Sequence, residues 1–420
     1  MKIAFVSQPM DMVVPPYQNS LGLWTYHLAP LIAQAHEVLV YAKRSKAQNA
    51  YHGQDSVQYR FIPPVIPNRL LAAALDKFRR KNALPVFASP LYSLDYIYQV
   101  ARDCRQRRVD LIHLYNFTQF IPVLRRLNPR AKIVLHMTGE WLTQLDPAAI
   151  QHRLQAADLI LGPSDYIVEK IRARFPQYAG RCATVYNGVL TEVFTPPAQK
   201  ADTPNSRTGK LLFVGRVSPE KGVHVLVEAF RQIAAQFPET HLDIAGPLVS
   251  LPREFIVDLS DDPQTAALAR IYEQGDYTAY LHSLVPDPLR DRVRLLGGMP
   301  QPDLVQHYQA ADLLVNPSFS ESFGMSLIEA MSCETPVIAT RVGGMVEVTG
   351  NGEFGLLVEP GDPAALAAAI RELLTDEPRR RELGKKGRAR VLSTFTWPQI
   401  AQSLLRLYRG LRKQGSGTRN

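Results

Sequence analysis

The chain has 420 residues, 46% of them hydrophobic, and carries 48 Lys and Arg against 39 Asp and Glu, a formal charge of +9. That length exceeds one ordinary domain and predicts two, and the basic balance favours anionic partners such as phosphorylated small molecules, nucleic acid or an acidic membrane surface. Three scattered cysteines, Cys104, Cys182 and Cys333, form no CxxC pair, which argues against a disulfide framework or a zinc site and suits a reducing, cytoplasmic setting.

The opening MKIAFVSQPM reads as a buried strand rather than a signal peptide, and no apolar run is long enough to span a bilayer. Apolar, β-branched runs predict strands at 3–7, 37–42, 57–62, 111–115, 133–137, 159–161 and 183–186. Helical patterns such as LGLWTYHLAPLIAQ and LDYIYQVARDCRQRR lie between them. A stretch rich in proline and polar residues, 195–210, predicts a linker. The alternation then restarts, with strands expected at 211–214, 242–245, 293–296, 313–316, 336–339 and 356–358. Continuous apolar strands alternating with helices imply parallel sheets covered on both faces. The expected architecture is α/β: two Rossmann-like, doubly wound domains facing each other across a cleft, the ligands sitting at the carboxyl ends of the strands.

The expected boundaries are 1–195 for the first domain and 209–393 for the second. A helix at 396–412, opened by Trp397, is expected to pack back on the first, and 413–420 should fray. An insert at 248–292 breaks the rhythm of the second domain. It reads as a lid or binding loop, or equally as a peripheral helical excursion. The basic run PRRRELGKKGRARVL has Leu and Val at helical spacing and no interleaved aromatics. A solvated helix face is preferred there over a nucleic-acid stripe.

Two stretches carry candidate chemistry. In LLFVGRVSPEKGVHVLVEAF a strand ends at Gly215, and a loop with Arg216, Ser218, Pro219, Glu220 and Lys221 precedes a helix. Two cations between a strand end and a helix start suit a diphosphate, although a surface turn with ordinary charges fits the same residues. In SFSESFGMSLIEAMS a turn-rich loop follows a strand and leads into a helix. Ser326 and Glu329 have the S-x-x-E spacing of a capping box. The backbone amides of Gly324, Met325 and Ser326 would then point from a helix N-terminus, with Gly324 allowing close approach of an anion.

Taken in order, several motifs resemble the retaining GT-B glycosyltransferases of family four. Glu321-x7-Glu329, written ESFGMSLIE, is similar to that family's E-x7-E motif, and VGRVSPEKG to its diphosphate loop. VYNGVLTEVF, IVLHMTG and GEFGLLVEPGDPAALAAAI resemble further family segments, so the likeness covers nearly the whole chain. The resemblance implies that Arg216 and Lys221, after Gly215, bind the donor diphosphate. Glu329 would bind ribose hydroxyls, and Phe323, Gly324, Met325 and Ser326 would line the phosphate site. Glu321 would contact the transferred sugar, as a hydrogen-bonding group or a nucleophile, and His136 would face that sugar. A strand-end histidine is also commonly a satisfied core residue. The family's first-loop glycine pair is missing: Asn19-Ser20 stand there, with Gly22 as the substitute donor contact.

The chain contains no D-x-D metal motif, and Arg216 with Lys221 offers a metal-free way to stabilise the leaving group. No cofactor is expected. The expected partners are a nucleotide-sugar donor, UDP-glucose first and GDP-mannose next, and a soluble, phosphorylated sugar acceptor. Sucrose-phosphate synthase is the member the resemblance points to first, with fructose 6-phosphate as acceptor. A lipid-linked or cell-surface glycan, reached by peripheral membrane contact, is the alternative acceptor, and a non-catalytic nucleotide-sugar-binding protein is the rival class. No nucleic acid is expected.

Overall fold

Apolar strands alternating with amphipathic helices bury both faces of a parallel sheet only when helices cover each side, and this chain does so twice. A computed structural model describes residues 1–15, 19–44, 56–63, 88–198, 209–250 and 252–416. Most of the expected linker (199–208), part of the first loop (16–18) and the last four residues lie outside the described residues. The chain divides into two compact units, Met1–Tyr186 with Trp397–Asn420, and Asn187–Thr396.

In the first unit the strands are β1 (Lys2–Val6), β2 (Glu37–Lys43), β3 (Val57–Ile62), β4 (Leu111–Tyr115), β5 (Lys132–His136), β6 (Leu159–Gly162) and β7 (Cys182–Thr184). They form one parallel sheet in the order β3-β2-β1-β4-β5-β6-β7, so the winding direction reverses between β1 and β4. Strand residues alternate between two buried faces. Ala4 and Val6 join a core with Tyr96, Ile97 and Val100 of the helix Leu94–Gln106. Phe5 points to the opposite face, where its ring lies 6.2 Å from Trp24 of the helix Ser20–Ala33.

The C-terminal helix Trp397–Ser416 belongs to this unit. Its buried residues, Trp397, Ile400, Ala401, Leu404, Tyr408 and Leu411, recur at helical spacing and make one apolar stripe. Trp397 stacks on His27 at 5.4 Å, and the Tyr408 hydroxyl lies 2.6 Å from His113 Nδ1.

The second unit holds β8 (Lys210–Val214), β9 (His241–Ala245), β10 (Val293–Gly297), β11 (Leu313–Asn316), β12 (Val337–Thr340) and β13 (Leu356–Val358). Their order is β10-β9-β8-β11-β12-β13, again parallel, with the reversal between β8 and β11. The first unit ends earlier than the expected 195. Val189 N donates to Phe395 O at 2.9 Å, Ser332 Oγ to Phe194 O at 2.6 Å, and Gln309 to Thr195 O at 2.8 Å. Phe194 is fully buried beside Tyr308. These bonds and this apolar anchor tie residues 187–195 to the second unit.

The insert is helical, with Arg253–Ile256, Pro263–Ala267, Ala269–Tyr272 and Tyr277–Leu284. Val257, Leu268, Tyr277, Leu281 and Val285 are buried in the core of the second unit, so the insert is built in rather than draped over it. The basic helix Glu377–Thr394 turns Arg381 and Lys386 to solvent, paired with Glu377 and Glu382, and buries Leu383 and Val391. No helix among the described residues is long and apolar enough to cross a membrane.

Candidate active site

In a doubly wound sheet, the loops leaving adjacent strands diverge where the strand order reverses, and the carboxyl ends there frame a crevice. In the second unit that place is the pair β8 and β11. The loop after β8 carries Gly215, Arg216, Ser218, Glu220 and Lys221; the loop after β11 carries Glu321 and Phe323. Gly222 joins the two loops. It has φ +69, and a Cβ on it would lie 2.0 Å from Pro317 O. Only glycine lets the first loop close onto the second.

Across this contact Lys221 Nζ pairs with Glu321 Oε2 at 2.8 Å and donates to Ser320 O at 3.4 Å. Arg216 Nη2 pairs with Glu220 Oε1 at 2.7 Å, and Arg216 Nε donates to Ser218 Oγ at 3.3 Å. Glu220 is 1% exposed. Burial pushes its carboxyl up, but Arg216, Lys221 and hydrogen bonds from Ser218 and Arg216 outweigh that and hold it below the usual range. Each predicted cation therefore sits beside a carboxylate while remaining partly exposed.

Glu329 lies on the helix Met325–Ser332, behind that loop. It does not cap the helix. Gly324, at φ +103, is the N-cap, so Ser326 already lies inside the helix, and Ser326 Oγ instead takes a hydrogen bond from Asn316 at 3.3 Å. The Glu329 carboxylate turns inward and accepts from Gln301 Nε2 and from Tyr308 Oη, both at 2.7 Å. Burial raises its pKa, and these two bonds lower it in part. Phe323 is a packing residue, 2% exposed, with its ring edge-on to Phe395 at 5.6 Å. Gly215 N closes the end of β8 onto Ala245 O at 3.0 Å, and Met325 is half-buried at the start of the helix.

The first unit has its own polar cluster at the corresponding reversal, β1 and β4. Asp11 accepts from Gln8 N at 2.8 Å, Gln8 Nε2 at 3.1 Å and Asn19 Nδ2 at 2.8 Å. Asn116 Nδ2 reaches Gln8 Oε1 at 3.3 Å and Thr138 Oγ1 at 2.9 Å. His136 takes no part in this cluster. It is wholly buried, Nδ1 faces His113 Nε2 at 3.2 Å, and its ring packs 4.8 Å from Trp24. Burial lowers its pKa to about 3, so it is neutral. It closes β5 under the helix Ser20–Ala33, and its Nε2 has no hydrogen-bond partner among the described residues. Gly22 sits where the helix Ser20–Ala33 starts against the first loop. A Cβ there would meet Met12 O at 1.9 Å, and its amide donates to the N-cap Asn19 at 2.8 Å.

Burial lifts Asp11 to about 6, above its ordinary 3.8, against the hydrogen bonds from Asn19 and Gln8. Between those values the folded chain holds more protons than the unfolded one. The stability contributed by this group is fully present below pH 3.8 and is lost as pH rises through 6. In urea unfolding, Asp11→Asn should therefore gain on the wild type by about 3 kcal/mol between pH 4 and pH 7. A difference that does not change with pH would refute the shift.

Sequence reasoning missed Tyr308, Gln301, Tyr272 and the first-unit cluster. Tyr308 and Gln301 lie on the helix before β11, and no local pattern pairs them with Glu329. Among the described residues no group of three or more His, Cys, Asp or Glu side chains could hold a metal ion.

Two Rossmann-like units with strand-end polar clusters define a GT-B type of architecture, and comparison with known proteins makes it specific. Residues 22–193 match the model "Glycosyltransferase Family 4" and residues 197–390 match "Glycosyl transferases group 1". The chain belongs to the group 1 glycosyltransferases. It is 26% identical to spore coat protein SA of Bacillus subtilis over 97% of this chain and 99% of that protein. It is 30% identical to a D-inositol 3-phosphate glycosyltransferase of Corynebacterium urealyticum over 62% of this chain and 58% of that one. Among solved structures, sucrose-phosphate synthase from Thermosynechococcus elongatus shares the fold, with TM-score 0.70, 24% identity and coverage of 98% and 99% of the two chains. Anabaena HepE in complex with UDP does so with TM-score 0.70, 20% identity and coverage of 98% and 100%.

Proposed function

We propose that the chain is a metal-independent, retaining hexosyltransferase that takes glucose from UDP-glucose and passes it to a hydroxyl of a small phosphorylated acceptor. The observation that carries this is the grouping of Arg216, Lys221 and Glu321 at the β8–β11 reversal, with Glu329 on the helix behind. Breaking the bond between the sugar C1 and the β-phosphate oxygen leaves the electron pair on that oxygen. Arg216, Lys221 and the amides at the start of Met325–Ser332 neutralise the charge that builds there. Glu329 accepts from the ribose hydroxyls. Glu321, paired with Lys221 at 2.8 Å, is less nucleophilic than a lone carboxylate and reads better as a hydrogen-bonding group for the sugar. The acceptor proton then passes to the departing phosphate as the new C1–O bond forms on the same face.

HepE, in complex with UDP, supports the uridine nucleotide. Sucrose-phosphate synthase and D-inositol 3-phosphate glycosyltransferase both carry a phosphorylated sugar or polyol in their names, and a charge of +9 suits such an acceptor, fructose 6-phosphate first. Three buried free cysteines accord with a cytoplasmic setting. The similarity to a spore coat protein favours a cell-surface glycan as the second acceptor to try. The test is a donor screen: UDP-, GDP- and ADP-sugars are incubated with the protein, slow hydrolysis is measured, and acceptors are then added. UDP-glucose should be hydrolysed fastest, with hydrolysis giving way to transfer when fructose 6-phosphate is present. Turnover of GDP-mannose alone would replace the donor, and no turnover of any donor would refute the enzyme reading.

A further inference from the structure

Two tyrosine hydroxyls of the insert at 248–292 reach the donor loop and the helix Val223–Ile233 that follows it. Tyr272 Oη donates to Glu220 Oε2 at 3.1 Å. Tyr277 Oη lies 3.1 Å from His224 N and 2.9 Å from His224 Nδ1. The His224 ring in turn stacks on Phe319, with centroids 5.7 Å apart and planes 4° from parallel. Phe319 N donates to Glu220 O at 2.8 Å, which closes a circuit from the insert through the loops after β8 and β11.

Glu220 is the hub. Its Oε1 is shared by Arg216 Nη2 and Ser218 Oγ, each at 2.7 Å, and both partners belong to its own loop. Its Oε2 is held by Tyr272, 52 residues away. A buried carboxylate needs both oxygens satisfied to stay ionised in one rotamer. The hydroxyl that completes this set also fixes the plane of the carboxylate, and with it the direction from which Arg216 is held. Arg216 spends Nε and Nη2 inside the loop, and its Nη1 edge has no protein partner among the described residues. That edge is left for a ligand. The brace itself does not drift, because Leu268, Tyr277 and Leu281 anchor the insert in the core.

We infer that Tyr272, acting through Glu220, is a positioning residue that aims Arg216 at the leaving phosphate. The insert thus serves as a brace for the donor site rather than a lid. The inference rests on the donor-site reading above. A misaimed cation still attracts the bound nucleotide but stabilises the developing charge poorly, so the effect should fall on kcat more than on KM.

The experiment measures UDP-glucose turnover and melting temperature for Tyr272→Phe, Arg216→Ala, the double variant and Leu281→Ala. Tyr272→Phe should lower kcat by about tenfold, with KM and melting temperature within about twofold and two degrees of wild type. In the Arg216→Ala background the same change should do nothing further, because no guanidinium remains to aim. Leu281→Ala opens a core cavity in the insert and loosens the brace, so it should lower melting temperature and kcat together, whereas Tyr272→Phe lowers kcat alone. An unchanged kcat in Tyr272→Phe, or an equal loss with and without Arg216, overturns the brace and leaves the donor site standing. An unchanged kcat in Arg216→Ala overturns the donor site itself.

Discussion

Lys221→Ala should lower kcat for UDP-glucose by about a thousandfold, among the largest losses any single change at this site can produce. Two effects add. The ammonium that the proposal places at the leaving phosphate is removed, and Glu321, 2.8 Å from it in the wild type, would be left as an uncompensated carboxylate beside the diphosphate. The second effect makes a specific prediction. Lys221→Ala/Glu321→Ala should be less impaired in UDP binding than Lys221→Ala alone, because the repulsion goes with the carboxylate. Titration calorimetry with UDP measures this directly. If the two substitutions weaken binding additively, the pair is not coupled through the ligand site. If neither alters UDP affinity, the phosphates do not bind at the β8–β11 reversal.

The thirteen strands of the described residues and the two-unit plan were legible in the sequence, because continuous apolar runs bounded by turn residues have one reading when helices alternate with them. The loop positions of Arg216, Lys221 and Glu321 were legible too, since these residues directly follow strands. Sequence could not give the strand order, and the order is what makes those loops neighbours. His136 shows a different limit. Alternation tells two sheet faces apart only when one is solvated, and in a doubly covered sheet an inward histidine looks like an outward one. Glu329 was misread because a helix starting at Met325 rather than after Ser326 turns a capping box into a buried contact with Tyr308. The first unit's boundary moved for a similar reason, since Val189 and Phe194 are held by residues more than a hundred positions away.

Glu329 separates structural from ligand-binding roles most sharply. Its carboxylate bonds two neutral donors, Gln301 and Tyr308, and pairs with no cation among the described residues. Each oxygen keeps a lone pair to offer, and a ribose diol would supply the missing donors. Glu329→Gln preserves the shape: its oxygen can accept from Gln301 while its amide donates to the Tyr308 oxygen. That variant should fold within about 1 kcal/mol of wild type, the lost charge desolvation offsetting in part the Tyr308 hydroxyl proton left without its acceptor. It should nonetheless bind UDP about tenfold to a hundredfold more weakly, the difference between diol bonds to a charged and to a neutral acceptor. Glu329→Ala should lose as much affinity and also stability, about 1–3 kcal/mol, because Tyr308 and Gln301 are left unpaired in the interior. Deoxyribose nucleotides give the complementary measurement. Wild type should discriminate UDP from 2′-deoxy-UDP, and Glu329→Gln should lose most of that preference. Equal discrimination by both proteins would make Glu329 a core residue alone, with the ribose held elsewhere in the second unit.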